Sequence, residues 1–438
     1  MKILITGGNV LLKNGFERAD ILVADGKVFE ISHHIDESLA DRVIRSDNSF
    51  IIPAFADVHV HFREPGFEYK ETIKTGSMAA AAGGYSDVCT MPNLDPVPSG
   101  IDAMNAQLDI IRRDAVVKVH PYAAITAGGT GRGELSDMKG LSELAVAFSD
   151  DGKGVQDTAL MASAMREARD LGMIIAAHCE DESWIPENGC VNQGRASMRF
   201  GLPGIPAESE WTQADRDIEL EYMTGGPYHI CHVSKKETVE LVRKAKERGI
   251  DVTCETAPHY LLLCEDDIED DGRFKMNPPL GSAEDRDAVV KGLVDGTIDM
   301  IATDHAPHTA EEKSRGLSGS AFGISGLETA FPALFTGLVL EGVMSLETLV
   351  RKMSVAPRKR FGLDAQDGEN AVSNRGRIET GQTADLAVLD LYDEYRIDSS
   401  KFRSMGKSTP FDGMEVRGKV LYTLVNGEVA YDHGEDDD

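Results

Sequence analysis

The chain has 438 residues, 41% of them hydrophobic and 27% charged. That is too long for one small domain and long enough for a barrel-sized core. With 74 Asp and Glu against 45 Lys and Arg, the formal net charge is -29. Such a charge repels a phosphate backbone and sets nucleic acid aside as a partner. No apolar stretch approaches the roughly 20 residues that cross a bilayer, so no membrane partner is expected. The run at Met1–Thr6 is too short for a secretory signal. The six cysteines contain no CxxC pair. Reduced thiols and a cytoplasmic location are the expectation.

Residues 1–52 read as short strands and tight turns. Ile21–Ala24 and Lys27–Ile31 flank Asp25-Gly26, a hairpin signal. Between 53 and 362, short apolar runs alternate with helical stretches. Eight such runs occur: one ending at His61, then Tyr85–Met91, Val117–Ile125, Ala145–Phe148, Met173–Ala177, Tyr228–Cys231, Asp251–Cys254 and Asp299–Thr303. Amphipathic helices are expected over Asp157–Leu171, Lys235–Arg248 and Glu284–Val294. Ser234-Lys235-Lys236-Glu237 reads as a capping box and Gly249 as the helix stop. Residues 363–438 return to strands, with Ala384–Leu389 and a hairpin of Leu421–Val425 and Glu428–Tyr431 around Asn426-Gly427. Glu435–Asp438 reads as a solvated tail. The pattern predicts an α/β protein: a (β/α)8 TIM barrel with a small β-sandwich domain built from both termini.

In such barrels the catalytic groups sit at the C-terminal ends of the strands. His59 and His61 end the first run, and residues i and i+2 of a strand share a face, so both imidazoles can reach one metal ion. Arg63 continues that face and can hold an anion. Asn93 follows the second run, Asp150 and Asp151 end the fourth, His178 the fifth and His232 the sixth. His259 follows the seventh, and Asp304, His305 and His308 end the eighth. Each alone has a plain structural reading: a core histidine, a turn at Asp151-Gly152, a helix N-cap at Asp304. Collected at one rim, they point to a metal site. Four histidines and two carboxylates exceed the needs of one tetrahedral zinc. Two ions sharing one carboxylate fit better, with zinc suited to imidazole plus carboxylate and manganese or cobalt as substitutes. A water between two such ions ionises near neutral pH and becomes a nucleophile. Asp304 could take its proton and pass it on. The choice between Asp150 and Asp151 stays open on these grounds.

Two Gly-rich stretches carry no chemistry. Gly406-Lys407-Ser408 lacks the earlier glycine of a P-loop, and Ala127–Gly133 lacks the dinucleotide spacing. Both read as loops, and no G-x-S-x-G elbow supports a serine hydrolase.

The ordered motifs His59–Gly66 (H-x-H-x-R-E-P-G), Met91-Pro92-Asn93, Asp150-Asp151-Gly152, Ala177–Asp181, Cys231–Ser234, Pro258-His259, Met276–Leu280 and Asp304–His308 resemble the bacterial dihydroorotases of the amidohydrolase superfamily. The tail Thr409–Gly413 extends the resemblance over nearly the whole chain. It implies two zinc ions per subunit, the first on His59, His61, Asp151 and Asp304, the second on Asp151, His178 and His232, with Asp151 bridging. Relatives of the hydantoinase type place a carboxylated lysine at that bridge; here aspartate stands there, and Lys153 reads as a solvated side chain. Asp304 would be general base and acid. Arg63, Asn93 and His308 would bind the substrate carboxylate, with His61 also in contact. Asn277 and the backbone of Phe322 and Gly323 would meet the ring, within a Gly-rich cover spanning 316–326. His259 would make a structural hydrogen bond. His305 would point away from Asp304, and Cys179 and Cys231 would face the barrel wall. The implied reaction is reversible cyclisation of N-carbamoyl-L-aspartate to L-dihydroorotate in pyrimidine synthesis. The implied partners are that small-molecule pair and a second subunit in a homodimer, with aspartate carbamoyltransferase as a possible associate. The alternatives are an allantoinase- or dihydropyrimidinase-like hydrolase, or a silent scaffold homologue.

Overall fold

A computed structural model describes residues 1–363 and 376–436. The barrel has eight parallel strands: Phe55–Val60, Tyr85–Thr90, a third in two pieces (Lys118–Pro121 and Ala123–Ala124), Phe148–Ser149, Ile175–Ala177, Tyr228–Ile230, Val252–Thr256 and Met300–Ile301. Each falls on one of the eight apolar runs. They pair in sequence order. A parallel bridge from Val60 to His305 closes the ring. Asp57 ties the same seam, its carboxylate accepting from Thr303 N at 3.0 Å. Side chains from the strands and the residues beside them fill the interior, among them Ala56, Val58, Cys89, Met91, Tyr122, Ala176, Cys231 and Ala302.

The helices form where periodicity and caps agree. Thr158–Leu171 starts at Asp157, whose carboxylate accepts from Leu160 N at 2.7 Å, and stops at Gly172. Ala283–Asp295 carries a capping box between Ser282 and Asp285. Lys236–Glu247 ends before Gly249, at φ +76, but it has no capping box. Ser234 Oγ donates instead to Glu210 Oε2 at 2.5 Å. A buried carboxylate from the preceding helix takes the hydroxyl that local spacing assigned to the cap. Among the described residues no helix is long and apolar enough to cross a membrane.

The companion domain is a β-sandwich built from both ends of the chain. Its sheet runs in the order Glu428–Asp432, Lys419–Val425, Leu386–Asp390, Phe50–Pro53, Lys2–Leu12, Gly15–Ala24, Lys27–Ser32. Lys2–Leu12 bends at a register shift between Ile5 and Gly8, pairing with Arg42–Arg45 before it and Phe50-Ile51 after it. Ile3, Ile21, Ile51, Leu386, Val388 and Leu424 form a separate apolar core. Both predicted hairpins turn through paired positive φ, +52 and +75 at Asp25-Gly26 and +50 and +75 at Asn426-Gly427, the geometry of a type I′ turn. The two turns touch: a Cβ on Gly427 would lie 2.8 Å from Gly26 Cα.

Gly406–Ser408 is a loop that clasps the barrel. Ser325 Oγ donates to Gly406 O and Ser325 N to Ser408 O, each at 2.8 Å. Of the expected solvated tail, His433–Asp436 forms a 3-10 turn, while Asp437 and Asp438 lie outside the described residues.

Candidate metal centre and active site

The site begins with a counting error in the first strand. Asp57 pairs with Val88 and Val60 with Thr90, so three steps on one strand face two on its neighbour. This is a β-bulge, which re-aims a side chain. It lets His59 reach the interior although Val58 also packs there. His59 N donates to Asp57 Oδ1 at 3.0 Å within the bulge.

His59 Nδ1 lies 2.8 Å from Glu255 Oε1. A carboxylate only accepts, so Nδ1 carries the proton and the Nε2 lone pair faces the rim. That Nε2 is 3.3 Å from Asp151 Oδ1 and 3.5 Å from Asp304 Oδ1. His61 Nδ1 donates to Asn93 Oδ1 at 2.9 Å, leaving its Nε2 3.1 Å from Asp304 Oδ1 and 3.5 Å from Asp151 Oδ2. On the other side of Asp151, His178 Nδ1 and His232 Nε2 stand 2.8 Å apart and 3.9 and 3.8 Å from Asp151 Oδ1. Two triads thus share one carboxylate: His59, His61 and Asp151, and Asp151, His178 and His232. His59 Nε2 and Asp151 Oδ1 are buried without a hydrogen-bond partner. Buried lone pairs of this kind carry a penalty that a divalent cation removes. The donor set around Asp151 therefore fits a divalent metal centre.

Asp151, not Asp150, reaches this cluster. Asp150 turns to the loop after the third strand, accepting from Ile125 N at 2.8 Å, Gly131 N at 3.0 Å and Thr126 Oγ1 at 2.5 Å. Lys153 is exposed.

Above the cluster lies a cavity of about 230 Å³ lined by His61, Arg63, Asn93, Asp151, Gly152, His178, His232, Asn277, Asp304, Ala306, His308, Phe322 and Gly323. Every residue expected at the substrate is on its wall. Arg63, His232 and Asp304 hold positive φ values of +46, +35 and +49, a region non-glycine residues enter at a cost. Arg63 is half-buried, and the partial loss of solvent around its guanidinium lowers its pKa. Its Nε donates to Pro307 O at 3.3 Å. His308 Nε2 donates to Phe322 O at 2.7 Å, and its Nδ1 accepts from Lys70 Nζ at 3.3 Å. Burial, with the Arg63 and Lys70 cations, pushes His308 down to about 3, so its ring is neutral. Asn277 Nδ2 donates to Glu180 Oε2 at 2.7 Å, while its Oδ1 is buried and unpartnered. Asn93 is tied to both His61 and Asp151, its Nδ2 3.3 Å from Asp151 Oδ2.

Sequence reasoning missed Glu255, Glu180 and Lys70. Glu255 sits in the seventh strand and holds both His59 and His229, whose Nε2 is 3.1 Å from Oε2. Burial would raise its pKa, but His229 and His59 hold it down at about 2. A charged residue inside an apolar strand was the available signal. One expectation needs correction. Cys231 does not face the barrel wall: its sulfur belongs to a buried group with His59 and Glu255. Burial pushes that thiol up to about 12, so it is protonated. His259 Nε2 has no partner among the described residues. His305 does point away, with Nδ1 accepting from Gly326 N at 3.1 Å.

A parallel barrel with histidines and carboxylates converging at its C-terminal rim, beside a sandwich from both termini, is the architecture of a metal-dependent amidohydrolase. Comparison with known proteins agrees and narrows it. Residues 48–238 match the family described as dihydro-orotase-like. The chain is 46% identical over 430 residues to a dihydroorotase of Fusobacterium nucleatum subsp. nucleatum, covering 98% of each chain. It is 46% identical over 433 residues to a dihydroorotase of Bacillus cereus (strain AH820), covering 97% of this chain and 98% of that one. Among solved structures, L-hydantoinase (dihydropyrimidinase) from Arthrobacter aurescens superposes with a TM-score of 0.84 at 28% identity, covering 98% and 96%. A dihydropyrimidinase from Brevibacillus agri NCHU1002, at TM-score 0.83 and 22% identity over 98% and 95%, shares the fold. The chain belongs to the dihydroorotase family and is a cyclic amidohydrolase.

Proposed function

We propose that this chain interconverts N-carbamoyl-L-aspartate and L-dihydroorotate with two zinc ions, one held by His59, His61, Asp151 and Asp304 and the other by Asp151, His178 and His232. The observation that carries the substrate reading is Arg63. It is a half-buried guanidinium on the wall of a small cavity, and among the described residues no carboxylate pairs with it. A carboxylate in the cavity would meet the charge of the guanidinium, whose planar fork matches it. Dihydroorotate carries that carboxylate; dihydrouracil does not.

When bound, the ions supply an activated water and neutralise charge developing on the carbonyl oxygen. The chain supplies the rest. Arg63 orients the substrate carboxylate, and His308, its N–H held by Phe322 O, shapes the cavity wall beside it. Asn93 fixes the tautomer of His61 from the carboxylate side of the cavity. The free Oδ1 of Asn277 accepts a ring N–H, opposite the backbone of Phe322 and Gly323. Asp304, at hydrogen-bond distance from His61, takes a proton in the hydrolytic direction and delivers it to the departing ring nitrogen. Ring closure follows the same route in reverse. The small-molecule pair is joined in this reading by a second subunit in a cytoplasmic homodimer open to aspartate carbamoyltransferase, with domain limits at 52/53 and 362/363.

The test is turnover of L-dihydroorotate by zinc-reconstituted protein, with dihydrouracil, hydantoin and allantoin in parallel. Loss of dihydroorotate alone is expected. Turnover of another ring instead would overturn the substrate. No turnover with metal bound would favour a silent scaffold.

A further inference from the structure

We propose that Lys313 is a positioning residue that pins the Ala321–Gly323 wall of the cavity to the loop carrying Asn277, and that this pin sets the affinity for substrate. The substrate named in the test rests on the reading above.

Lys313 follows Asp304 and His308 on the same segment and is 6% exposed. Its ammonium donates to Gly323 O at 2.6 Å, Ala321 O at 2.8 Å and Lys275 O at 3.0 Å. An ammonium has three donors, and all three are used. Two acceptors flank Phe322; the third lies two residues before Asn277. The same junction is sewn twice, since Gly323 N also donates to Lys275 O at 3.0 Å. Lys275 in turn lies 4.6 Å over the Phe322 ring. Among the described residues no carboxylate lies within ion-pair distance of the Lys313 ammonium, and its direct partners are carbonyl oxygens. Burial and the Lys275 cation weaken its hold on a proton, which Asp271 and Glu312 partly offset.

The consequence is geometric. Asn277 Oδ1 and the backbone of Phe322 and Gly323 face one cavity and must keep a fixed spacing to bracket one small ring. Lys313 touches neither the cavity lining nor the His–Asp cluster by any hydrogen bond other than those to backbone. Its loss should therefore loosen the bracket and leave proton transfer at Asp304 intact.

Two readouts decide this. In Lys313→Met, KM for L-dihydroorotate should rise about tenfold with kcat within about twofold and zinc content unchanged, a split expected when binding is lost uniformly. Lys313→Arg, which keeps the charge, should recover part of the loss. Independently of activity, hydrogen exchange on the free protein should quicken at the Ala321 and Gly323 amides, which donate to Glu312 O and Lys275 O, with the barrel strands unchanged. Unchanged KM with unchanged exchange overturns the proposal. A parallel fall in kcat and zinc content also overturns it, because it would make Lys313 a support for the whole rim. If wild type does not turn over dihydroorotate, the substrate reading fails, and the exchange comparison still decides the pin.

Discussion

The barrel rim and the β-sandwich are built to opposite standards. At the rim an arginine and a histidine, with Asp304, sit at positive φ, while the other non-glycine residues at positive φ among those described are Asp25, Asn48, Asn188 and Asn426, side chains that tolerate this region. The rim also leaves His59 Nε2, Asp151 Oδ1 and Asn277 Oδ1 buried and unpaired. No side-chain atom in the described sandwich strands is left so. Between these two regions, strain and unpaired buried atoms collect where groups must face a ligand rather than one another. The sandwich, which binds nothing in this reading, is free to satisfy itself.

The sharpest test separates activity from stability at the rim. Asp304→Asn should cut turnover by about 10²–10⁴ while zinc remains bound and Tm holds or rises. A Tm loss as large as that of a core truncation would break the contrast. The converse belongs to the sandwich. Ile51→Ala should cost about 2–5 kcal/mol in denaturant unfolding without changing kcat per folded molecule; a matching loss of kcat would show that the two regions are coupled. Arg63→Met should lower kcat/KM for L-dihydroorotate about 10- to 100-fold, the worth of hydrogen bonds to a charged group. Intact activity would remove the substrate assignment and leave the metal cluster untouched.

The smallest effect lies at the clasp between the two regions. Glu328 accepts from Arg403 N at 2.8 Å and Ser404 N at 3.1 Å, and burial raises its pKa to about 7 from 4.5. The folded state then binds a proton that the unfolded chain has lost, so stability contributed here falls as pH rises from about 4.5 to about 7. Glu328→Gln should remove that fall. The Tm difference between variant and wild type should move in the variant's favour from pH 4.5 to pH 8. A pH-independent difference would show that Glu328 ionises normally.

Much of this was legible before any coordinates, for identifiable reasons. Each barrel strand is an apolar run, and the polar residues that stop the runs line the rim, so fold and cluster come from one pattern. What escaped depends on partners distant in sequence. The bulge at Asp57–Val60 exists only in the count against the second strand. Ser234 loses its cap role to Glu210, which no local motif reveals. Cys231 was expected at the wall by strict alternation, but His232 at φ +35 breaks the extended backbone on which alternation depends. Glu255 reads as an ordinary acidic residue until two histidines are seen to converge on it.

The pairing of Leu386 with Pro53 and of Leu389 with Phe50 has a consequence for biogenesis. The strands before the barrel leave the ribosome ahead of all of it, yet their neighbours in the sheet are synthesised only after the barrel is complete. Until then Phe50–Pro53 presents an open hydrogen-bonding edge, the kind of surface that recruits unintended strands from other nascent chains. Translation order thus makes the sandwich, the quieter of the two regions once folded, the exposed one during synthesis.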